Sequence, residues 1–221
     1  MDFKNNEEAL EILSELISKN NYPLRIGLDT AASQYYRSGN YIVGKKSYSN
    51  EELKQYYLKL IETYNILSIE DPFFEEDFVS FAELTAELRR THAELRGINI
   101  MKTTGSWNKI QSDPKVLVIT DDLTTTNSNR LKTAIEKKSG NTILIKLNQI
   151  GTLTETLKVV KMAYDNNWQA VVSHRSGETM DDFISDLAVG VGAWGLKAGA
   201  PGKPERLVKY ERVLEIFKRA A

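Results

Sequence analysis

The sequence predicts an α/β chain of about six strand–helix repeats, part of a (β/α)8-type barrel. Short apolar runs alternate with longer segments of helical periodicity. The runs are continuously apolar rather than alternating, the pattern of strands covered on both faces in a parallel sheet. Six repeats fit either an open doubly wound sheet or part of a barrel. The polar residues favour the barrel. Asp29, Glu70, Asp121, Lys146, His174 and Lys197 each follow the apolar run of a different strand. A barrel gathers such positions on its C-terminal rim, whereas an open sheet spreads them along a line.

The elements follow in order. Residues 7–19 place Leu10, Ile12, Leu13, Leu16 and Ile17 on one helical face, and Asn20, Asn21 and Pro23 stop the helix. The run 24–28 precedes Asp29. A helix over 50–63 has Ser49 or Asn50 as N-cap, with Glu51 and Glu52 suited to the dipole of its first turn. Ile66–Ile69 leads to Glu70, a helix spans 76–91, and Val116–Ile119 leads to Asp121 and Asp122. A helix at 127–138, a strand at 142–145 ending at Lys146, and a helix at 152–166 come next. A strand at 170–173 ends at His174 and Arg175, and a helix covers 179–190. A weak strand at 195–197 and a helix at 204–219 complete the pattern. Residues 92–115 lack clear periodicity, carry Gly, Ser and Pro, and are long for a connection in a compact domain.

Composition narrows the function. The 221 residues are 41% apolar and 27% charged, which excludes a disordered or collagenous chain. A net charge of -1 gives no general reason to expect nucleic acid or an acidic membrane as partner. The chain has no Cys, so thiolate chemistry and Cys metal sites are excluded, and with two His a three-His zinc site is too. The acidic, amphipathic first twenty residues lack the apolar core of a leader, and no run approaches a membrane span. A soluble, cytoplasmic protein is the expectation.

The rim residues carry the chemistry. Asp29, Glu70 and Asp121 offer hard oxygen donors, for which Mg²⁺ is the natural ion and Mn²⁺ the second choice. Lys146, flanked by Leu144, Ile145 and Leu147, is expected to face inward, and it and Lys197 could serve as a general base if nearby positive charge disfavours the ammonium. His174, Arg175 and Ser176 form a cationic group suited to phosphate or carboxylate. Gly177 allows close backbone approach, and Thr179 can cap the next helix, whose N-terminus favours anions. A divalent metal, a lysine base and an anion clamp suit removal of a proton next to a carboxylate.

These residues also carry a family resemblance. The stretches 26–33 (IGLDTAAS), 68–73 (SIEDPF), 121–124 (DDLT), 146–152 (KLNQIGT), 173–179 (SHRSGET), 197–201 (KAGAP) and 205–210 (ERLVKY) resemble, in that order, the C-terminal barrel domain of enolase, phosphopyruvate hydratase. The resemblance implies Mg²⁺ held by Asp29, Glu70 and Asp121. It implies Lys146 removing the C2 proton of 2-phosphoglycerate and Lys197 binding the substrate carboxylate. Glu70, Asp121, Ser173, His174, Arg175 and Ser176 would contact substrate, Arg175 at the phosphate. The product would be phosphoenolpyruvate, in glycolysis or gluconeogenesis.

The match begins at the family's third barrel strand. The N-terminal domain, the first two barrel strands and the general-acid glutamate they carry are therefore expected from outside these residues. A separately encoded N-terminal half could supply them, and a homodimer is a further possibility. A catalytically incomplete paralogue or a binding subunit of a split enolase is the alternative. The whole of 1–221 is expected to be one partial barrel domain, with an insertion around 92–115.

Overall fold

The computed structural model describes residues 5–92 and 116–220. The expected insertion around 92–115 lies, but for the helical end at His92, outside the described residues. The chain divides into two compact units, one of residues 5–92, 116–119 and 136–140, the other of residues 120–135 and 141–220.

The first unit opens with α1 (Asn6–Lys19), whose N-cap Asn5 accepts from the Glu8 amide. β1 (Gly27–Asp29) is followed by a 3-10 turn (Ala32–Tyr35) and a three-stranded antiparallel meander of β2 (Tyr36–Arg37), β3 (Asn40–Val43) and β4 (Lys46–Tyr48). α2 (Asn50–Tyr64) starts in a capping box: Ser49 accepts from the Glu52 amide and Glu52 reaches back to the Ser49 amide. β5 (Ser68–Glu70), α3 (Phe78–His92) and β6 (Leu117–Thr120) follow. β1, β5 and β6 pair in parallel with no register slip, Asp29 opposite Glu70 and Glu70 opposite Ile119. Leu53, Leu60 and Ile61 of α2 and Phe81, Leu84 and Leu88 of α3 are buried with Ile69 of β5, Val118 of β6 and Phe73. Around Tyr41, itself fully buried, the rings of Tyr35, Tyr36 and Phe73 meet edge-on or tilted. Burial of this size is worth roughly 1.5–3 kcal/mol per large apolar side chain.

The second unit contains α4 (Ser128–Lys137), β7 (Thr142–Ile145), the short α5 (Leu147–Ile150), α6 (Leu153–Asp165), β8 (Gln169–Ser173), α7 (Phe183–Gly190), β9 (Gly195–Lys197) and α8 (Pro204–Ala220). β7, β8 and β9 pair in parallel, Ile145 opposite Val172 and Ser173 opposite Lys197. Every β7 residue is buried, as are Ala170–Ser173 of β8. Val159, Val160 and Ala163 of α6 and Leu131 and Ala134 of α4 add to this core. Arg212 of α8 holds both oxygens of Asp186 on α7 at 2.7–3.0 Å, keeping that carboxyl below its usual range.

The α/β class with six parallel strands is therefore what the described residues contain, each unit having three in sequence order. On α1 Leu10 is buried, and Leu13 and Leu16 are about half exposed. Two expectations need correction. The strand expected at 24–28 is Gly27–Asp29, and Leu24 is 59% exposed, because β1 has one hydrogen-bonded neighbour and nothing described covers its start. Thr179 does not cap a helix. α7 begins four residues later behind Asp182; the Thr179 hydroxyl accepts from the Asp181 amide and the Thr179 carbonyl from Lys209 of α8. Among the described residues no helix is long and apolar enough to cross a membrane.

Burial pushes the Tyr35, Tyr41 and Tyr57 hydroxyls above the ordinary tyrosine value of 10.0, for Tyr35 against opposing hydrogen bonds from Tyr57 and Thr30. The folded chain thus keeps protons that the unfolded chain releases. The associated stability is complete below the unfolded value and drains as pH rises through the folded ones. The urea midpoint is expected to fall steeply from about pH 10 upward, with a shallower fall in Tyr57→Phe. Tyrosinate absorbance rising in the native protein with no loss of midpoint would contradict this.

Candidate active site

In the first unit, parallel pairing carries Asp29 and Glu70 to the same level at the ends of neighbouring strands. Chain 30–33 is laced over the end of β5. The Thr30 amide donates to the Glu70 carbonyl at 3.0 Å, its hydroxyl to the Asp71 carbonyl at 2.7 Å, and the Ala32 amide to that same carbonyl at 3.1 Å. The Asp71 amide in turn donates to Ile119. Ala31 and Asp71 both take positive φ, 43° and 44°, conformations non-glycine residues adopt at a cost and hold only where the surroundings over-determine them. Beyond Asp71, the Phe74 amide donates to the Tyr41 hydroxyl and the Glu75 amide to Ser33. Glu70 and Asp71 are each 4% exposed; Asp29 is exposed.

In the second unit, Asp121 begins a tight turn. The amides of Thr124 and Thr125 both donate to its carbonyl, and the Thr124 hydroxyl donates to Thr120. Lys146, immediately after β7, donates from Nζ to the Asp121 carboxylate, and both side chains are largely buried. The backbone of Lys146 is fixed independently. Its amide donates to the hydroxyl of Thr126 at 2.9 Å, and that hydroxyl donates to Gln149 on α5 at 2.8 Å. Thr125 and Thr126 stand at φ 46° and 52°, outliers for β-branched residues.

The loop after β8 is held from α8. Ser173 is buried opposite Lys197, and the His174 amide donates to the Lys197 carbonyl at 2.9 Å. Arg206 contacts Nδ1 of His174 and donates to the carbonyls of Arg175 and Ser176 at 3.0 and 3.1 Å. Lys209 is fully buried and spends its three protons on the Thr179 and Glu205 carbonyls and the Glu178 carboxylate, at 2.6–2.7 Å. Glu178 also accepts from the Arg175 amide. The exposed Arg175 guanidinium reaches Asn148 of α5 at 3.2 Å.

Asp29 and Glu70 thus lie side by side in one unit. Asp121 with Lys146, and Ser173–Ser176 with Lys197, lie at consecutive strand ends in the other. The comparisons with known proteins bear on this arrangement directly. The family model described as the C-terminal TIM barrel domain of enolase matches residues 1–105 and 103–220. The enolase of Methanocaldococcus jannaschii is 40% identical over 215 residues, 96% of this chain. The chain belongs to the enolase family. It spans 45% of that relative's length.

The strand-end carboxylates fit a hard divalent cation by donor chemistry: they are all oxygen, largely buried at Glu70 and Asp121, and the chain offers no thiolate ligand. Several residues that shape the site drew no role in the sequence. Thr126 was visible as the end of a Thr124–Thr126 run two residues past Asp122. Arg206 and Lys209 lie three apart in the stretch 205–210, one face of a helix, which was a signal that they act together.

Thr126→Val keeps the shape of the side chain and removes the acceptor for a Lys146 amide. We expect a loss of about 1–3 kcal/mol in urea unfolding and faster exchange of that amide, with Thr126→Ser close to the parent on both. Equal behaviour of the Val and Ser variants would show that the hydroxyl is not what holds the backbone.

Proposed function

We propose that this chain is the base-bearing part of an enolase-type lyase for Mg²⁺-dependent dehydration of 2-phosphoglycerate to phosphoenolpyruvate. The observation that supports this most is the Lys146–Asp121 pair, a lysine and a carboxylate brought together at consecutive strand ends. Asp29, Glu70 and Asp121 are assigned as the residues that hold the ion. Mg²⁺ there would supply positive charge against the negative charge that builds on the substrate carboxylate as its α-proton leaves. Lys146 takes the C2 proton at Nζ. Lys197 binds the carboxylate. Arg175 binds the phosphate, and Ser173, His174 and Ser176 complete the substrate contacts, with Glu70 and Asp121 bordering them.

Loss of the C2 proton and of the C3 hydroxyl forms the new double bond, and the hydroxyl needs a proton to leave as water. That acid is assigned to the portion of an enolase beyond the 45% this chain covers. A separately encoded N-terminal half, or a second copy of the chain, is the partner this reading calls for, in the cytoplasm. The domain reading is one partial barrel over 1–221 with the insertion around 92–115. The same coverage favours a second reading, a subunit of a split enolase that does not turn over by itself.

Incubation of the chain with Mg²⁺ and 2-phosphoglycerate in D₂O separates these. Exchange of the C2 proton with no phosphoenolpyruvate is expected, and Lys146→Ala should slow exchange by about 10²–10⁴-fold. Phosphoenolpyruvate formation would overturn the assignment of the acid to another part. No exchange, together with no Mg²⁺ binding by calorimetry, would sink the catalytic reading of this chain.

A further inference from the structure

Arg175 is anchored first through its backbone. Its amide donates to Oε1 of Glu178 at 2.8 Å, and Oε2 of Glu178 is held at 2.7 Å by the buried ammonium of Lys209. The guanidinium is exposed, yet it too has a partner. Nη1 donates to Oδ1 of Asn148 at 3.2 Å, linking the segments that follow β8 and β7.

Asn148 is itself firmly placed. It belongs to α5, a single turn of four residues with Lys146 as its N-cap. Gly151, at φ 92°, closes the turn with its amide on the Leu147 carbonyl at 2.9 Å. Next to Asn148, the Gln149 side chain accepts from Thr126 at 2.8 Å, and the Thr126 hydroxyl accepts from the Lys146 amide at 2.9 Å. The turn that carries Asn148 is thus tied to the same threonine as the backbone of Lys146.

An exposed hydrogen bond replaces one to water and adds little to folding. Its effect on the use of an arginine is larger. A long side chain loses rotamer freedom when an anion fixes it, and a partner that holds it beforehand removes part of that cost. Arginine has five donors and no acceptor, so Asn148 turns its oxygen to the guanidinium and occupies one donor. The edge formed by Nε and Nη2 keeps two parallel donors, the fork that grips a phosphate.

We propose that Asn148 is a positioning residue that holds the Arg175 guanidinium ready for a phosphate, on the helical turn that begins at Lys146. The proposal rests on the phosphate role given to Arg175 above and deepens it. Base and anion clamp then share one support before substrate arrives.

The heteronuclear ¹H–¹⁵N NOE of arginine side chains in the ¹⁵N-labelled chain reads this restraint, and Arg175→Lys identifies the signal. The Arg175 Nε–H is expected to be rigid in the parent, mobile in Asn148→Ala, and rigid in Asn148→Asp, which keeps an acceptor. Inorganic phosphate should shift that signal, with half-saturation about 2- to 12-fold higher in Asn148→Ala and the urea midpoint unchanged. A mobile Arg175 Nε–H in the parent would overturn the proposal, whatever the folding of the variants. So would equal mobility, or equal phosphate affinity, in the parent and folded Asn148→Ala. A side chain that Asn148→Ala sets free but phosphate does not shift would remove the phosphate role of Arg175, and with it the purpose assigned to Asn148. The NOE thus tests the positioning and the titration tests the role, and neither depends on Mg²⁺ or turnover.

Discussion

Parallel pairing without register slip is the constraint on which the rest depends. In a parallel ladder, strands that run in step end in step. Asp29 therefore stands opposite Glu70, and Ser173 opposite Lys197, with no side chain having to reach. Lys146, one residue beyond the Ile145–Val172 pair, reaches the level of Ser173 by the same rule. A one-residue slip would turn these side chains to the other face of the sheet. Continuous burial of β7 and most of β8 makes such a slip costly, because it would exchange fitted apolar contacts on both faces at once.

The ladder sets levels; the loops set aim. At each functional loop the backbone is tied by side chains from elsewhere in the same unit: Thr30 on Glu70 and Asp71, Thr126 on Lys146, Arg206 and Lys209 on 174–179. Most of these ties are partly buried, where a hydrogen bond costs more to leave unmade than at the open surface. Lys209 illustrates the balance. A fully buried ammonium is tolerable because all three of its protons are used, one on a carboxylate that also orders the Arg175 amide. The positive φ values of Asp71, Thr125 and Thr126 belong to the same economy. Backbone strain of order 1–3 kcal/mol per residue persists next to the proposed ligands and base because these bonds over-determine the loops.

What was legible in the sequence follows from this division. The strands were readable because burial on both faces leaves an unbroken apolar run, and the strand-end residues were readable because each breaks that run with charge. Six of the seven motifs carried the family for the same reason: they lie at those strand ends, while the seventh, 205–210, is on α8. The meander at 36–48 was readable in principle, since Ser38-Gly39 and Gly44-Lys45 are two-residue turn pairs and both glycines take positive φ. Its strands of two to four residues are too short to show a period. The roles of Thr126 and Arg206 were not legible. Each depends on a partner 20–32 residues away, and no local pattern in a single sequence encodes that distance.

The uncovered faces and the unassigned chemistry point the same way. In the first unit, the half-exposed Leu13 and Leu16 of α1 accompany β1, which among the described residues has one paired edge. In the second, Leu207 and Leu214 of α8 are 41% and 59% exposed, and among the described residues β9 has one paired edge. Open edges and apolar faces of this kind are liabilities that proteins cover. This chain spans 45% of the enolase it matches. On the proposed function, the general acid lies in the remaining part of such an enolase. A segment that pairs with β1 or β9 and brings an acid to the strand ends would then supply stability and the second half of the elimination together. Separate origins for the two would leave either a covered chain that exchanges protons without losing water, or an uncovered one whose chemistry is limited by its solubility.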